Sequence, residues 1–240
     1  MEFDIVIPVG PNDSFIIKGM IEHTIKNIIG YRNIYLVSYD PNIKIDKCIT
    51  INENIFPFNK ESISEIIGYH ERVGWYLQQL IKLYSGSTIP GILNNYLVID
   101  SDTHFMNPTN FFNNGLPLYN YGIEYHIPYF DHMNKLHPIL TKQTTHSGIC
   151  HHMVFQQNIL IDLFKLVEDY HKKEFFKVFL ESINKNDILG SGASEYEIYF
   201  NYLHIYHKDL FIIRPLQWEN RSNIINDNNL DYISCHHYMR

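Results

Sequence analysis

The chain has 240 residues, 45% of them hydrophobic and 15% aromatic, with a net charge of −7. That composition excludes a disordered chain and supplies apolar surface for one large α/β domain or two small ones. The negative charge argues against a general binder of nucleic acid or anionic membrane, and three scattered cysteines, Cys48, Cys150 and Cys235, make no disulfide framework and point to a reducing compartment.

Residues 3–8, FDIVIP, read as a first strand that ends at Pro8 and a turn-prone VGPND. No basic, then apolar leader precedes it, so a cytoplasmic location is expected. No apolar run approaches the roughly 20 residues of a membrane helix. Residues 14–30 predict a helix: Ile17, Ile21, Ile25 and Ile28 recur at helical spacing, with Ser14 to cap the start and Gly30 the end. NIYLVSYDP, 33–41, is a second strand stopped at Asp40-Pro41, and KCITIN, 47–52, a short third. Strand, helix, strand at this spacing is the order of a parallel sheet.

Residues 70–86, HERVGWYLQQLIKLYSG, predict a helix with two stripes. Val73, Leu77, Leu80 and Tyr84 form the core face. Arg72, Trp75, Gln79 and Lys82 form another, and Gly74, which costs about 1 kcal/mol against Ala, together with the costly exposure of Trp75, suggests a face that approaches something. A buried strand follows in YLVIDSDTHFMNP, 96–108, and places Asp100 and Asp102 where its apolar run ends. Residues 107–146 lack periodicity and read as a long functional loop. Helices are expected over 152–171, 172–186 and 194–207, a strand over 210–215, and a terminal strand in LDYISCHHYMR. No repeat or linker appears, so one domain is expected.

Ligands of open α/β sheets bind beyond the carboxyl ends of the strands. Asp100 and Asp102, two apart in an extended segment, can project to one side. Two hard oxygen ligands plus water suit Mg²⁺ or Mn²⁺ shared with a substrate diphosphate. Neither a GxGxxG loop nor a Walker sequence is present, which points away from dinucleotide dehydrogenases and P-loop enzymes.

In this order, DIVIPV, GWYLQQLIKL, YLVIDSDTHF and SEYEIYFNY resemble the motifs of GT-A-type glycosyltransferases, and most of all a DUF6492-like group of sugar transferases from bacteria and large viruses. The resemblance implies a single GT-A-like (Rossmann-like) α/β domain with a mostly parallel central sheet flanked by helices. It implies a nucleotide-binding half over 1–106 and an acceptor and catalytic half over 107–240. The donor would be a nucleoside diphosphate sugar, UDP-linked by expectation, and the acceptor a hydroxyl on a glycan or protein, in the host cytoplasm if the source is a virus. Pro8, Val9 and Asp40 would lie near the nucleotide, with Arg72, Trp75, Gln79, Lys82 and Ser101 also at the donor. Asp100 and Asp102 would form the metal motif, completed by a histidine of the terminal pair His236-His237.

The candidate base comes from local geometry. Ser194 and Glu197 match a capping box, which gives Glu197 a structural duty. Glu195, at the first helical position and on another face, is left as the general base for an acceptor hydroxyl; the competing reading is that it only complements the helix dipole. The preceding GSGA permits close approach of a ligand to backbone. The other histidines show no HExxH and no Cys/His ligand spacing, and His151-His152 reads equally as cleft lining or packing. In residues 232–238, strand alternation puts His236 and His237 on opposite sides, and the family's Ser-x-His spacing favours His236 for the cation. Two other functions fit the same acids: a metal-dependent phosphohydrolase or nucleotidyltransferase, and a non-catalytic sugar-binding module of this fold.

Overall fold

The computed structural model describes residues 1–225, 227 and 229–240, with the backbone but not the side chain of His237. In chain order the elements that build the site are strands β1 (Phe3–Val9), β2 (Tyr31–Ser38), β3 (Cys48–Asn52), β4 (Asn95–Ile99), β5 (Thr103–Phe105), β6 (His152–Gln156), β7 (Trp218–Asn220) and β8 (Tyr232–Ser234). The helices are α1 (Ile17–Asn27), α2 (Lys60–Ile67), α3 (Val73–Thr88), α4 (Ile127–Leu136), α5 (Gln157–His171), α6 (Phe175–Glu181) and α7 (Glu195–Tyr206). The central sheet has the order β6-β4-β1-β2-β3. Its first four strands by sequence are parallel, and β6 joins β4 antiparallel. The protein is therefore mixed α/β, with a mostly parallel sheet flanked by helices.

β1 and β4 are buried along nearly their whole length, which is why both read as continuous apolar runs rather than alternating ones. The chain runs outward from β1 to β2 and β3, then returns to lay β4 on the other side of β1. That reversal opens a crevice at the carboxyl ends of β1 and β4, where α/β sheets bind ligands. A small second sheet, β7-β8-β5, stacks the end of the chain beside that crevice. One contiguous core runs from Phe3 to Tyr232 and takes in α3, α5, α6 and α7. No described helix is long and apolar enough to cross a membrane.

Several local expectations are corrected. α1 starts at Ile17 with no side-chain cap, because Ser14 instead donates to the Pro11 carbonyl in a 3-10 turn over Pro11–Asp13. α1 ends at Asn27, and Ile28–Ile29 pair with Thr109–Asn110 before Gly30 turns at φ +90°. The expected helix over 152–171 begins only at Gln157. His152–Gln156 is a strand, because its backbone saturates the free edge of β4 while Met153, Val154 and Phe155 are buried on both faces. The unpatterned loop holds α4 and a short hairpin over Phe112–Asn113 and Leu116–Tyr119. α2 lies in a stretch with no sequence expectation and starts on a reciprocal Asn59–Ser62 box. β8 stops at Ser234, and a 3-10 turn takes His237–Met239.

His104, His132 and His152 are sealed from water, and the last two carry a clear pH consequence. His132 of α4 lies 2.8 Å from the Phe179 carbonyl through Nε2, and burial pushes its pKa down to about 4. His152 packs among Phe105, Phe111 and Tyr232, and burial, with Arg214 adding to it, pushes its pKa down to about 3. Both stay neutral when folded and take a proton near pH 6.5 when unfolded. Stability is therefore full above pH 6.5 and drains as the pH falls towards 4, by on the order of 3 kcal/mol from His132 alone. Urea melts at pH 7.5, 6 and 5 should show that loss, and His132→Gln should lessen it while His152 keeps the remainder; a wild type equally stable at pH 7.5 and 5 contradicts this.

Candidate active site

The crevice is a cavity of about 870 Å³. Its walls come from the end of β1 (Pro8, Val9), the end of β4 (Asp100, Ser101, Asp102), one face of α3, and the start of α7. The β1 loop lies hard against α3: a Cβ on Gly10 would come within 2.9 Å of Gln78 Nε2. Asp13 then ties the loop to both ends of the chain's site. Its Oδ2 accepts from Ser101 Oγ at 2.6 Å and its Oδ1 from Arg240 Nη2 at 2.5 Å. The Ser101 hydroxyl is thus spent on Asp13.

Arg72, Trp75, Gln79 and Lys82 all line the cavity, each one turn or so below the last. Arg72 stacks over the Trp75 ring at 4.1 Å and donates from Nε to the Gly190 carbonyl at 2.9 Å, pinning the loop that leads into α7. Gln79 Oε1 accepts the Glu195 backbone N–H at 3.1 Å, and its Nε2 is buried without a partner among the described residues. Lys82 donates from Nζ to Asp100 Oδ1 and to Glu195 Oε1, both at 2.6 Å. Tyr196 adds a hydroxyl to Asp100 Oδ1 at 2.8 Å, and the Lys82 ammonium lies 4.5 Å over the Tyr196 ring.

These contacts set the charges. Burial works to raise the Asp100 pKa, but Lys82 and His151 outweigh it and hold the carboxyl well below its usual range. Burial works to neutralise Lys82, yet its two carboxylates hold it above the usual lysine range. For Glu195 the balance is opposite: burial, aided by Asp100, raises its pKa in spite of Lys82.

Asp100 and Asp102 do not share one extended segment. β4 ends at Ile99, and the chain turns so that the Thr103 N–H donates to the Asp100 carbonyl at 3.0 Å. The two acids consequently have separate partners. Asp102 Oδ2 lies 3.0 Å from His236 Nδ1, while Asp102 Oδ1 is buried with no partner among the described residues. Burial alone would lower the His236 pKa, but the Asp102 carboxylate beside it wins and raises it. His236 reaches the site as the residue before the terminal 3-10 turn and not by strand alternation; the His237 side chain lies outside the described residues.

His151 and His152 part company. His151 lines the cavity at φ +64°, with Nδ1 3.5 Å from Asp100 Oδ2 and Nε2 buried with no partner among the described residues, while His152 enters the core. Asp40 lies outside the cavity lining, and its Oδ1 accepts from the N–H and side-chain amide of Asn42. Among the described residues no group of three His, Cys, Asp or Glu side chains is set to hold a metal ion. The orphaned, buried Asp102 Oδ1 and His151 Nε2 do fit a cation that takes most of its ligands from a diphosphate and water, the habit of Mg²⁺ and Mn²⁺.

Glu197 differs from its expected role. Ser194 accepts from the Glu197 N–H at 3.3 Å, but the Glu197 carboxylate does not return the bond. It is fully buried, facing Lys142 Nζ at 3.2 Å and the Asn201 amide at 2.7 Å. Tyr196 and Asp13 carried no sequence expectation as site residues, and only adjacency to Glu195 hinted at the first; of the pair read equally as cleft lining or packing, His151 lines the cavity and His152 packs.

No family model matches the chain, and no curated protein matches it. Among solved structures it is similar to mouse xyloside xylosyltransferase 1 in its apo form, over 98% of this chain and 97% of that one, at a TM-score of 0.49 and 7% identity.

Glu197→Gln should behave as a core lesion. Losing the charge that faces Lys142 should cost about 3 kcal/mol, a fall of roughly 6–12 °C in Tm for a chain of this size, read by thermal unfolding. His236→Ala should leave Tm nearly unchanged and weaken Mn²⁺ affinity roughly tenfold or more, more than it weakens Mg²⁺ affinity, read by calorimetry. Equal Mn²⁺ affinity in that variant and wild type excludes His236 from the cation's surroundings.

Proposed function

We propose that the protein is a glycosyltransferase that moves a sugar from a nucleoside diphosphate sugar to a hydroxyl of a glycan or protein, with Mn²⁺ or Mg²⁺ as cofactor. The observation that carries this reading is the Lys82 ammonium, 2.6 Å from Asp100 at a strand end and 2.6 Å from Glu195 at a helix start, inside one large cavity. It ties an acid suited to the diphosphate side to an acid suited to the acceptor side. The sequence resemblance to the DUF6492-like sugar transferases agrees with it.

On this reading the donor lies along the α3 face, with its nucleotide over Pro8 and Val9. Asp102, with His236 and His151 beside it, would hold the cation, which when bound offsets charge on the leaving diphosphate. Lys82 fixes the two carboxylates, and Gln79 fixes the first peptide of α7, so that Glu195 stands still while substrates exchange. Glu195 takes the proton of the acceptor hydroxyl as its oxygen bonds to the anomeric carbon. The bond from that carbon to the phosphate oxygen breaks, and the nucleoside diphosphate leaves. Burial, which raises the Glu195 pKa, makes it a stronger base than a solvated carboxylate.

A panel of nucleotide-sugars with Mn²⁺ tests donor binding: a ligand at 100 times its Kd adds about 2.7 kcal/mol. Donor consumption with and without acceptor then separates transfer from hydrolysis. Asp102→Asn should abolish cation-dependent donor binding while the fold survives; full wild-type activity in excess chelator would sink the metal's role. Glu195→Gln should lower kcat by roughly 10²–10⁴-fold with donor affinity nearly unchanged. Because Glu195 must be ionised and its pKa is raised, wild-type kcat should fall on the acid side at a pH above that of an ordinary glutamate, and that limb should vanish in Glu195→Gln.

A further inference from the structure

The end of the cavity away from Asp102 has its own chemistry. Val9, Val37, Tyr39 and Leu77 line it, from the ends of β1 and β2 and from α3. Glu53, the first residue after β3, also lines it, and so does Lys60 at the start of α2. Asp40, the acid after β2, is occupied by Asn42. Glu53 is half-buried, and its carboxylate makes no hydrogen bond to the described residues. Burial pushes its pKa up, with Lys60 near enough to oppose that. A carboxylate held partly out of water with no donor to satisfy it is poised for a ligand's N–H groups.

The spacing fits a nucleotide. Lys60 lies against Gly74, whose Cβ would sit 3.9 Å from Lys60 Cε. From Gly74 to Lys82 is about 12 Å along the helix axis, room for a ribose and diphosphate between this end and the Lys82–Asp100 pair. Apolar walls suit the flat faces of a base, and the polar pair Glu53 and Lys60 then meets its edge.

We propose that Glu53 reads the base of the donor and that the base is guanine, so that the substrate is a guanosine diphosphate sugar in place of the uridine donor expected from the sequence. The inference rests on the nucleotide-sugar reading above. Among the common bases only guanine presents two adjacent donors, N1–H and the N2 amino group, to which both oxygens of one carboxylate can pair. Its O6 lies beside them as an acceptor for Lys60. Uracil offers one N–H between two carbonyls, which repel a carboxylate. Adenine and cytosine offer an amino group beside a ring lone pair, which repels it too. A half-buried acid left facing those lone pairs selects against them as well as for guanine.

Calorimetric titration of the full chain with GDP, UDP, CDP and ADP, each with Mn²⁺, tests this. GDP should bind tighter than the other three by roughly tenfold or more, the discrimination of one bidentate base contact. Glu53→Gln, with one donor and one acceptor in place of two acceptors, should erase that preference by weakening GDP while UDP stays within about twofold. Since the Glu53 carboxylate makes no hydrogen bond to the described residues, the variant's melting temperature should match wild type. Equal affinities, or a preference for UDP, overturn the guanine assignment and leave the transferase reading standing. A GDP preference that survives Glu53→Gln overturns the role of Glu53. Binding of none of the four overturns both.

Discussion

The Lys82 ammonium is the point on which the arrangement depends. Three charged groups from α3, the end of β4 and the start of α7 meet in a volume where Lys82 is 7% and Glu195 4% exposed. Taking such groups from water costs several kcal/mol per ion, and pairing recovers that only with good geometry. Two carboxylates and one ammonium also leave one net negative charge. Apolar side chains of similar volume would hold these elements together at less cost. A cluster kept in spite of that, in a cavity wall, is where perturbed groups serve chemistry. It also explains why Gln79 spends its carbonyl on the Glu195 backbone: the helix start that carries one partner of Lys82 is anchored by the same face of α3 that carries Lys82.

Sheet order brings the rest within reach. Because β4 returns beside β1, the β1 loop and the β4 turn become neighbours, and Asp13 can hold Ser101. Because β6 pairs antiparallel with β4, its first residues arrive at the carboxyl end of β4, and the Asp100 N–H donates to the His151 carbonyl at 2.9 Å. Because β8 pairs with β5, the chain continues past Ser234 over Asp102, whose carbonyl accepts the Cys235 N–H. Residues far apart in sequence thus converge through backbone pairing, and only the final orientation is left to side chains.

What could be read in the sequence divides along that line. Strands β1, β2, β3 and β4 announced themselves by apolar runs ending in turn residues. The second stripe of α3 was legible because helical periodicity is local. So was Ser194 as a cap. Where contact partners decide, local pattern failed. The run from Met153 to Phe155 is apolar on both faces and continues into a true helix, so nothing local marks it as a sheet edge. The duty of Glu197 depends on Lys142, fifty-five residues away in sequence and unpatterned. That Glu53 lines the cavity while Asp40 folds back on its own turn depends on β3 lying outside β2. No spacing rule carries that information.

Asp100 and Asp102 illustrate the same limit at closer range. An Asp-x-Asp triplet reads as one bidentate device, yet the turn after Ile99 gives its members opposite electrostatics. Asp100 sits against the Lys82 ammonium, which with His151 holds its pKa well below the usual carboxylate range. Asp102 sits against an imidazole, a partner that can shed its proton and leaves the second oxygen unengaged. A divalent cation at Asp100 would share a carboxylate whose Oδ1 Lys82 and Tyr196 already hold and whose Oδ2 lies 3.5 Å from His151. At Asp102 it displaces only a proton. The proposed division of labour follows from that difference: Asp102 and its histidines face the exchangeable charge that comes and goes with substrate, while Asp100 belongs to the fixed charge framework that holds Glu195 in place.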